Sequence, residues 1–281
     1  MTYVIHGATG AQGAPVVSAL AAAGKSVTAL TRTADAAVDG AQRVVAAGYG
    51  STAELTEAYR GADGVFVHLP VVSEEDRVTY ARNIVAAVRA ARPARVVFST
   101  SGAPIDPETG GAAAVLADGL AGSGVSHAVI APTFYLENLL MPYVLDAVRE
   151  RGVLPYPIRV DFPASWASHL DIADAVAALF DCPDITGVIS VGQYPAITGP
   201  DLAEVFGAHF GKDVVFEQIT PEQFRSSVAP LLGEGPAADV AGFYAAMSTL
   251  PHRSITPEDS AQKLLGITPR TTGQWLTDIG L

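Results

Sequence analysis

The feature that most constrains this chain is a run of three glycines directly after its first apolar segment. Residues Thr2–His6 have the apolar character of a short buried strand, and Gly7, Gly10 and Gly13 follow before an alanine-rich stretch. In such a turn the first glycine permits a tight bend, the second lets a phosphate approach the backbone, and the third lets the following helix pack closely on the strand. The free amides at the start of that helix attract negative charge. The pattern therefore predicts a dinucleotide-binding turn, and the contacts expected within it are Gly7, Thr9, Gly10, Ala11, Gln12 and Gly13.

Short apolar runs alternate with longer alanine-rich stretches over the first half of the chain. The runs predict strands at Tyr3–His6, Ser26–Thr31, Arg43–Ala46, Gly64–His68, Arg95–Thr100 and Ser126–Ala131. The stretches between them predict helices near Gln12–Ala23, Thr52–Tyr59, Ser73–Ala91 and Ala112–Ala121. Continuous apolar runs are typical of strands buried on both faces, and their alternation with helices indicates a parallel sheet. The predicted fold class is α/β, a doubly wound parallel sheet of the Rossmann type that binds its ligand beyond the carboxyl ends of the strands.

The pattern changes beyond residue 132. The elements predicted there are helices at Leu136–Arg151 and Asp171–Phe180, a strand at Gly187–Val191, and helix starts at Thr198, Thr220 and Thr256. Thr220 and Thr256 each precede a proline and an acidic residue, an arrangement favoured at a helix N-terminus. We predict that residues 1–132 form the dinucleotide-binding domain, whose sheet is also joined by segments near 165–191. Residues 133–164 and 192–281 are predicted to form a smaller, mostly helical substrate lobe.

Composition narrows the possible function classes. The 281 residues carry a net charge of −12 and include three lysines, so affinity for nucleic acid cannot rest on neutralising phosphates. One cysteine, Cys182, excludes a disulfide framework, and the six histidines are too scattered to favour a metal site. No apolar stretch reaches the roughly 18 residues that a membrane span needs. We therefore expect a cytoplasmic protein with no metal, nucleic-acid or membrane partner.

Arg32 indicates which dinucleotide the turn binds. It follows the second predicted strand, at the place where an Asp or Glu would hydrogen-bond the ribose 2′-hydroxyl of NAD. A guanidinium group instead suits the 2′-phosphate of NADP, which it can hold through charge-assisted hydrogen bonds. The predicted cofactor is therefore NADP(H).

Several stretches along nearly the whole chain resemble the NmrA-like family of atypical short-chain dehydrogenases/reductases. They are Gly7–Gly13, Arg32, Gly61–Pro70, Val96–Gly102, Ala131–Leu139, His169–Asp174 and Gly266–Leu276. The resemblance implies an NADP(H)-binding Rossmann domain with a small helical substrate lobe, in a monomer or homodimer. Members of the family include quinone and triphenylmethane dye reductases, aromatic ether reductases of plants, and regulators that sense NADP without turnover.

The resemblance also implies particular contacts. It assigns His68, Leu69 and Pro70 to the adenine or its ribose, Thr100, Ser101 and Gly102 to the nicotinamide ribose, and Pro132, Thr133 and Phe134 to the nicotinamide ring. Tyr135 and Asn138 would contact a small apolar or aromatic substrate.

The chain departs from related reductases at the proton donor. Most short-chain dehydrogenases use a tyrosine four residues before a lysine that lowers the pKa of the tyrosine. The residues four before the three lysines are Ala21, Ala208 and Asp259, so the sequence lacks this pair. The lysine that many NmrA-like proteins keep on the helix after the fifth strand is replaced near Ala113. The candidate catalytic residues that remain are Ser101, Tyr135 and His169.

These observations lead to two main hypotheses. The first is an NADPH-dependent oxidoreductase that transfers hydride to a quinone-like or other conjugated small molecule, with positioning as its main source of catalysis. The second is a non-catalytic NADP(H)-sensing regulatory protein, which the missing lysine favours. The apolar aromatic segment containing Phe134, Tyr135 and Tyr143 favours an enzyme with a substrate pocket. An isomerase or other tailoring enzyme on the same fold stays open, because fold does not imply function.

Overall fold

The computed structural model describes residues 1–33 and 35–281, which form two compact units. The sheet unit comprises Met1–Pro132, His169–Val191 and Glu258–Ile267. The second unit comprises Thr133–Ser168, Gly192–Pro257 and Thr268–Leu281. Both units are therefore assembled from segments that are distant in the sequence.

The strands are short, as the apolar runs predicted. In chain order they are β1 (Thr2–Ile5), β2 (Ser26–Thr31), β3 (Arg43–Ala46), β4 (Gly64–His68), β5 (Arg95–Ser99), β6 (Ser126–Pro132), β7 (Phe134–Tyr135), β8 (Val153–Tyr156), β9 (Trp166–Ala167), β10 (Gly187–Val191) and β11 (Val215–Gln218).

The α-helices alternate with these strands over the first half of the chain and dominate the last third. They are α1 (Gly13–Ala22), α2 (Thr52–Tyr59), α3 (Glu74–Ala91), α4 (Ala112–Ala121), α5 (Pro142–Arg151), α6 (His169–Asp181), α7 (Gly199–Phe210), α8 (Pro221–Leu232), α9 (Glu234–Met247), α10 (Ala261–Leu265) and α11 (Thr272–Asp278). Two 3-10 helices cover Pro107–Thr109 and Leu136–Leu140.

Seven parallel strands form the sheet of the sheet unit, in the order β10-β6-β5-β4-β1-β2-β3. Helix α1 packs against α6, and α2, α3 and α4 pack side by side. This architecture confirms the predicted doubly wound α/β fold. The strand order reverses between β1 and β4, and doubly wound sheets bind their ligands where such a reversal occurs. The glycine turn after β1 lies at this reversal.

One segment predicted to lie in the substrate lobe belongs instead to the sheet unit. The helix expected to begin at Thr256 begins only at Ala261, where Ser260 caps it by accepting a hydrogen bond from the amide of Lys263 over 3.3 Å. The preceding residues pair with the edge strand β10, because the amide of Ser190 donates to the carbonyl of Asp259 over 2.8 Å. Residues 257–259 form a bend and a turn that lead into a single bridge between Ser260 and Ser190, so the local helix-start signal at Thr256 is overridden.

The second unit contains two small parallel pairs, β8 with β11 and β7 with β9. Buried aromatic side chains form much of its core, among them Phe134, Tyr156, Trp166, Phe224 and Tyr244. The pairing of β7 with β9 also puts residues 165–168, predicted near the main sheet, in this unit.

The single helix predicted for Leu136–Arg151 is wrong. The segment forms a 3-10 helix over Leu136–Leu140 and then α5, which begins at Pro142. Between them Met141 is extended, with ψ at 138°. A proline has no amide to donate and disfavours the α conformation in the residue before it, which explains the break.

Within the described residues, no helix combines the length and the apolar character that a membrane span requires.

Candidate functional site

The glycine turn is closed by tight backbone contacts. Gly7 has a φ of +57°, which L side chains rarely adopt, and a Cβ there would lie 2.5 Å from His68 Nε2. A Cβ on Gly13 would lie 2.2 Å from the carbonyl oxygen of Gly7. The amide of Gly10 donates to the same carbonyl over 2.7 Å. Backbone conformation and space therefore require glycine at positions 7 and 13.

The turn has the features that a pyrophosphate needs. The backbone amides of Ala11 and Gln12 have no acceptor within the described part of the chain. Thr9, Gly10 and Ala11 are exposed, so an anion can reach these amides. Helix α1 begins at Gly13 and adds the amides and the positive dipole of its first turn. These residues fit the phosphates of a dinucleotide.

Arg32 lies close to this turn. It follows β2 directly and its side chain is exposed. The amide of Ala8 donates to the carbonyl of Leu30 over 3.3 Å, which holds the glycine turn next to the end of β2. The guanidinium group is therefore available at the carboxyl edge of the sheet.

A hydrogen-bonded network joins the glycine turn to the end of β5. Ser99 Oγ donates to Gln12 Oε1 over 2.8 Å, and Gln12 Nε2 donates to Ser101 Oγ over 2.9 Å. The amide of Ser101 donates to Ser99 Oγ over 3.3 Å. Ser101 has a φ of +56° and Gly102 a φ of +84°, so the chain turns sharply here. Gln12 and Ser101 were predicted as separate site residues, and the structure brings them together.

Two buried polar atoms near this edge have no hydrogen-bond partner among the described residues. They are His68 Nε2, at the end of β4, and Thr100 Oγ1, after β5. Buried polar atoms are nearly always paired in folded proteins. Two such atoms without hydrogen-bond partners, both at the ligand-binding edge of the sheet, are therefore consistent with a ligand that bonds to them.

Three histidines of the sheet unit interact electrostatically. Burial lowers the pKa of His6 to about 3, with a smaller contribution from repulsion by His68. Burial likewise lowers the pKa of His169, which begins α6, to about 4, again with His68 as the second cause. Burial also lowers the pKa of His68. All three imidazoles are therefore neutral near pH 7 and add no positive charge to this edge of the sheet.

Two tyrosines that sequence reasoning did not assign to the site pack against His6. The Tyr59 hydroxyl lies 2.6 Å from His6 Nε2, and the rings of Tyr49 and His6 have centroids 5.0 Å apart. The Tyr49 hydroxyl donates to the carbonyl of His68 over 2.9 Å. Burial raises the pKa of both tyrosines, so they stay protonated. No sequence pattern pairs these tyrosines with histidines at the ends of β1 and β4.

Other predicted residues of the sheet unit serve its packing. Leu69 is buried in the hydrophobic core and Pro70 is half-buried, and their contact with the adenine or its ribose stays a prediction. Pro132 ends β6 and pairs with Val191 of β10. Ala113, at the position of the family's lysine, lies in the same core. Within residues 1–33 and 35–281, no three side chains of metal-binding type come together.

Two residues predicted near the nicotinamide ring, Thr133 and Phe134, make contacts within the second unit. Phe134 is buried, and its ring stacks on Trp166 at 5.1 Å and on Tyr244 at 6.2 Å between centroids. Thr133 Oγ1 donates to the carbonyl of Ser165. The aromatic ring of Phe134 therefore fills core space, and the contact with the nicotinamide ring that the resemblance implied stays a prediction.

The predicted substrate residues also belong to the second unit. Tyr135 is half-buried and pairs with Ala167 between β7 and β9. Asn138 Nδ2 donates to the hydroxyl of Tyr156 over 3.3 Å. The Asn138 side chain is thus bonded to a tyrosine of the aromatic core, whereas the pairing of Tyr135 is made by its backbone.

Sequence comparison supports a family relationship for the first part of the chain. Residues 1–116 match the model of the NmrA-like family. Among characterised proteins, prestalk A differentiation protein A of Dictyostelium discoideum is 25% identical over 105 residues, or 37% of this chain. The match spans only about a third of that relative's length, 34%.

Solved structures match the chain over nearly its whole length. A nucleoside-diphosphate-sugar epimerase from Staphylococcus aureus is 21% identical with a TM-score of 0.80, covering 98% of this chain and 99% of that one. The NADPH complex of an NADPH-dependent quinone oxidoreductase from Escherichia coli is 21% identical with a TM-score of 0.73, covering 99% of each chain. The NADP(H) complex of Citrobacter sp. triphenylmethane reductase is 19% identical with a TM-score of 0.78, covering 98% of each chain. At these identities the likeness establishes the fold, and the family model adds that residues 1–116 are similar to the NmrA-like family, as the motifs in that part of the chain indicated.

Proposed function

We propose that the chain is an NADP(H)-dependent oxidoreductase that transfers hydride to a quinone-like or other conjugated small molecule. The observation that carries this proposal is the glycine turn, where space at Gly7 and Gly13 and the free amides of Ala11 and Gln12 suit a pyrophosphate. Two solved reductases of the same fold, one for quinones and one for triphenylmethane dyes, are described with NADPH or NADP(H). Their likeness supports this choice of cofactor and substrate class.

The residues of the sheet unit supply the groups that NADP(H) needs. The exposed guanidinium of Arg32, next to the glycine turn, suits the 2′-phosphate. His68 Nε2 and Thr100 Oγ1 lack partners and suit the polar groups of the ribose or carboxamide.

The mechanism rests on positioning. Bound NADPH would supply the hydride, and the protein would hold the acceptor in line with it. His169 is neutral near pH 7 and Ser101 offers a hydroxyl, so both are hydrogen-bond donors and neither is a strong acid. A simple ketone needs a stronger acid, whereas a quinone is electrophilic enough to accept hydride with hydrogen bonding alone. Tyr135 and Asn138 stay proposed substrate contacts.

Cofactor titration followed by turnover tests this proposal. Nicotinamide and tryptophan fluorescence would be recorded while NADPH, NADP⁺ and NADH are added, and loss of nicotinamide absorbance would then be followed with a panel of quinones and a simple ketone. We expect NADPH to bind more tightly than NADH and to be oxidised by quinones but not by the ketone. A protein that binds none of the three dinucleotides would contradict the proposal.

A second candidate is a non-catalytic NADP(H)-sensing regulator. The observation that favours it is Ala113, a buried residue on α4 where many relatives keep a lysine, together with the missing Tyr-x-x-x-Lys pair. A sensor should bind NADPH and NADP⁺ with different affinities. It should not oxidise NADPH, whichever acceptor is added. Turnover with any quinone would exclude it.

A further inference from the structure

The side chain of Gln12 has a role that the proposed function leaves unassigned. Gln12 is the residue before α1 and is 8% exposed, and its side-chain amide lies between the hydroxyls of Ser99 and Ser101. We propose that Gln12 is a positioning residue that fixes the Ser101 hydroxyl as a hydrogen-bond donor toward the accepting carbonyl oxygen of the substrate. This inference rests on the proposed reductase function and names the group that would hold the substrate.

The burial of Ser99 determines which way the Gln12 amide points. Ser99 is 0% exposed, and its Oγ already accepts the amide hydrogen of Ser101. Its own hydroxyl proton therefore needs an acceptor, and Gln12 Oε1 provides one at 2.8 Å. The opposite orientation of the amide would leave the buried Ser99 proton without a partner, which is unfavourable. Gln12 Nε2 consequently faces Ser101.

This orientation sets the hydrogen-bond polarity of Ser101. Its Oγ accepts from Gln12 Nε2 over 2.9 Å, so its hydroxyl proton must point elsewhere. No described residue accepts that proton. Ser101 is half-buried, which leaves the hydroxyl within reach of a ligand. The complementary ligand group is an oxygen that only accepts, such as the carbonyl of a quinone.

The backbone around Ser101 is held in a strained conformation by the same network. Its φ of +56° is unfavourable for a residue with a side chain, and such conformations persist where neighbouring contacts fix them. The contacts here are the bonds from Gln12 and to Ser99, with a turn closed by the amide of Ala103 donating to the carbonyl of Thr100 over 3.1 Å. One side chain thus links the phosphate-binding turn to the donor hydroxyl.

A donor held in this way assists reduction directly. Negative charge develops on the acceptor oxygen as hydride arrives at the conjugated ring, and a pre-oriented hydroxyl stabilises that charge. Ser101 remains a hydrogen-bond donor throughout, so the proton that the reduced product takes up comes from solvent water, and Gln12 acts only through Ser101.

Gln12→Glu tests the proposal by reversing the polarity of the network. The carboxylate has nearly the same size but accepts from both serines, so the Ser101 proton turns toward Glu and away from the substrate. We expect kcat/KM for a quinone to fall about 100-fold, as for loss of an oxyanion donor, and Ser101→Ala to cause a similar fall. In the Gln12→Glu/Ser101→Ala double variant, the fall in kcat/KM should not exceed the fall caused by Ser101→Ala alone. The Kd for NADPH is measured separately for each variant, so that weaker cofactor binding is not counted in this comparison. A Gln12→Glu protein within about twofold of wild type, or losses that multiply in the double variant, would overturn the inference.

A second measurement needs neither cofactor nor turnover. In ¹⁵N spectra of the protein without NADPH, the side-chain amide of Gln12 should resonate as a hydrogen-bonded group, and Ser101→Ala should shift it. An unshifted resonance would contradict the network. If Gln12→Glu fails to fold, Ser99→Ala replaces it, because loss of the buried donor lets the amide reverse and should lower kcat/KM in the same way.

The two proposals fail in different ways. If no quinone supports NADPH oxidation by the wild-type protein, both the reductase function and this inference are wrong. An active wild type whose kcat/KM does not respond to Gln12→Glu or Ser99→Ala defeats only the inference.

Discussion

Gly13 offers the sharpest residue-level test of the glycine turn. A Cβ there would lie 2.2 Å from the Gly7 carbonyl oxygen, a backbone atom that no side-chain rotation can move away. We expect Gly13→Ala to open the turn, to weaken NADPH binding at least about 100-fold, and to lower the free energy of unfolding by roughly 1–3 kcal/mol. Fluorescence titration and thermal melting measure the two effects. Gly50→Ala is the matched control, because a Cβ there meets open space. A Gly13→Ala protein with wild-type affinity would contradict the assignment.

His6 makes the stability of the sheet unit depend on pH, with a sign that its burial fixes. Burial lowers its pKa to about 3, whereas in the unfolded chain the imidazole titrates near about 6.5. Between these values the unfolded chain binds the extra proton, so the free energy of unfolding falls as the pH drops through that window. We expect His6→Gln, which keeps a polar atom toward Tyr59, to reduce this slope by up to about 1.4 kcal/mol per pH unit.

Urea denaturation at several pH values across that window measures the slope. Tyr59→Phe is the control, because it removes the partner of His6 but leaves the imidazole to titrate. It should lower the free energy of unfolding by a similar amount at every pH. His169, whose pKa is also lowered, contributes a slope of the same sign. A slope that His6→Gln leaves unchanged would assign the pH dependence to other groups.

At the scale of residues, the sequence predicted contacts within a short segment and missed contacts between residues far apart in the chain. The glycine turn was predictable because its three glycines act within seven consecutive residues. The bond between His6 and Tyr59 joins residues 53 apart, and that between Gln12 and Ser99 joins residues 87 apart. Such pairs depend on which strands are neighbours and in which register, and one sequence does not contain that information.

Helix starts illustrate the same limit at the scale of elements. The predicted starts at Thr198 and Thr220 are both correct, and each threonine forms a capping box with the residue three positions later. The predicted start at Thr256 carries a similar signal, yet the chain there continues to the edge of β10 and begins its helix after Ser260. A capping signal favours a helix but cannot outweigh pairing with a strand.

Thr220 gives a test of capping in the second unit. Its hydroxyl accepts the amide of Gln223 over 3.1 Å, and the Gln223 side chain accepts the amide of Thr220 over 2.8 Å. We expect Thr220→Ala to lower the free energy of unfolding by about 1 kcal/mol, because an amide at the start of α8 loses its acceptor. Thr220→Ser keeps the hydroxyl and should stay within a few tenths of a kcal/mol of wild type. Urea denaturation distinguishes the variants, and equal stabilities for the two would rule out a role for the cap.

At the scale of the whole molecule, the net charge of −12 opposes the binding of an anionic dinucleotide. Affinity must therefore come from local groups, which are the amides of the glycine turn and the exposed guanidinium of Arg32. Because a ligand that binds only the folded chain stabilises it, NADPH at about 100 times its Kd should add about 2.7 kcal/mol to the free energy of unfolding. The melting temperature of the whole chain thus reports cofactor preference without any assumption about turnover.

Arg32→Ala should remove the preference for NADPH over NADH. Loss of charge-assisted hydrogen bonds to the 2′-phosphate should raise the Kd for NADPH about tenfold or more, while the Kd for NADH changes little because NADH lacks that phosphate. Melting curves recorded with each dinucleotide would then show that the difference in melting temperature between the NADPH and NADH samples disappears. Arg43→Ala is the matched control: it removes one exposed arginine and the same charge, but at the start of β3, the strand end opposite to the ligand-binding edge. If Arg32→Ala leaves this difference in melting temperature unchanged, the 2′-phosphate is recognised elsewhere. If Arg43→Ala removes the difference as fully as Arg32→Ala does, the preference reflects net charge and not a contact at Arg32.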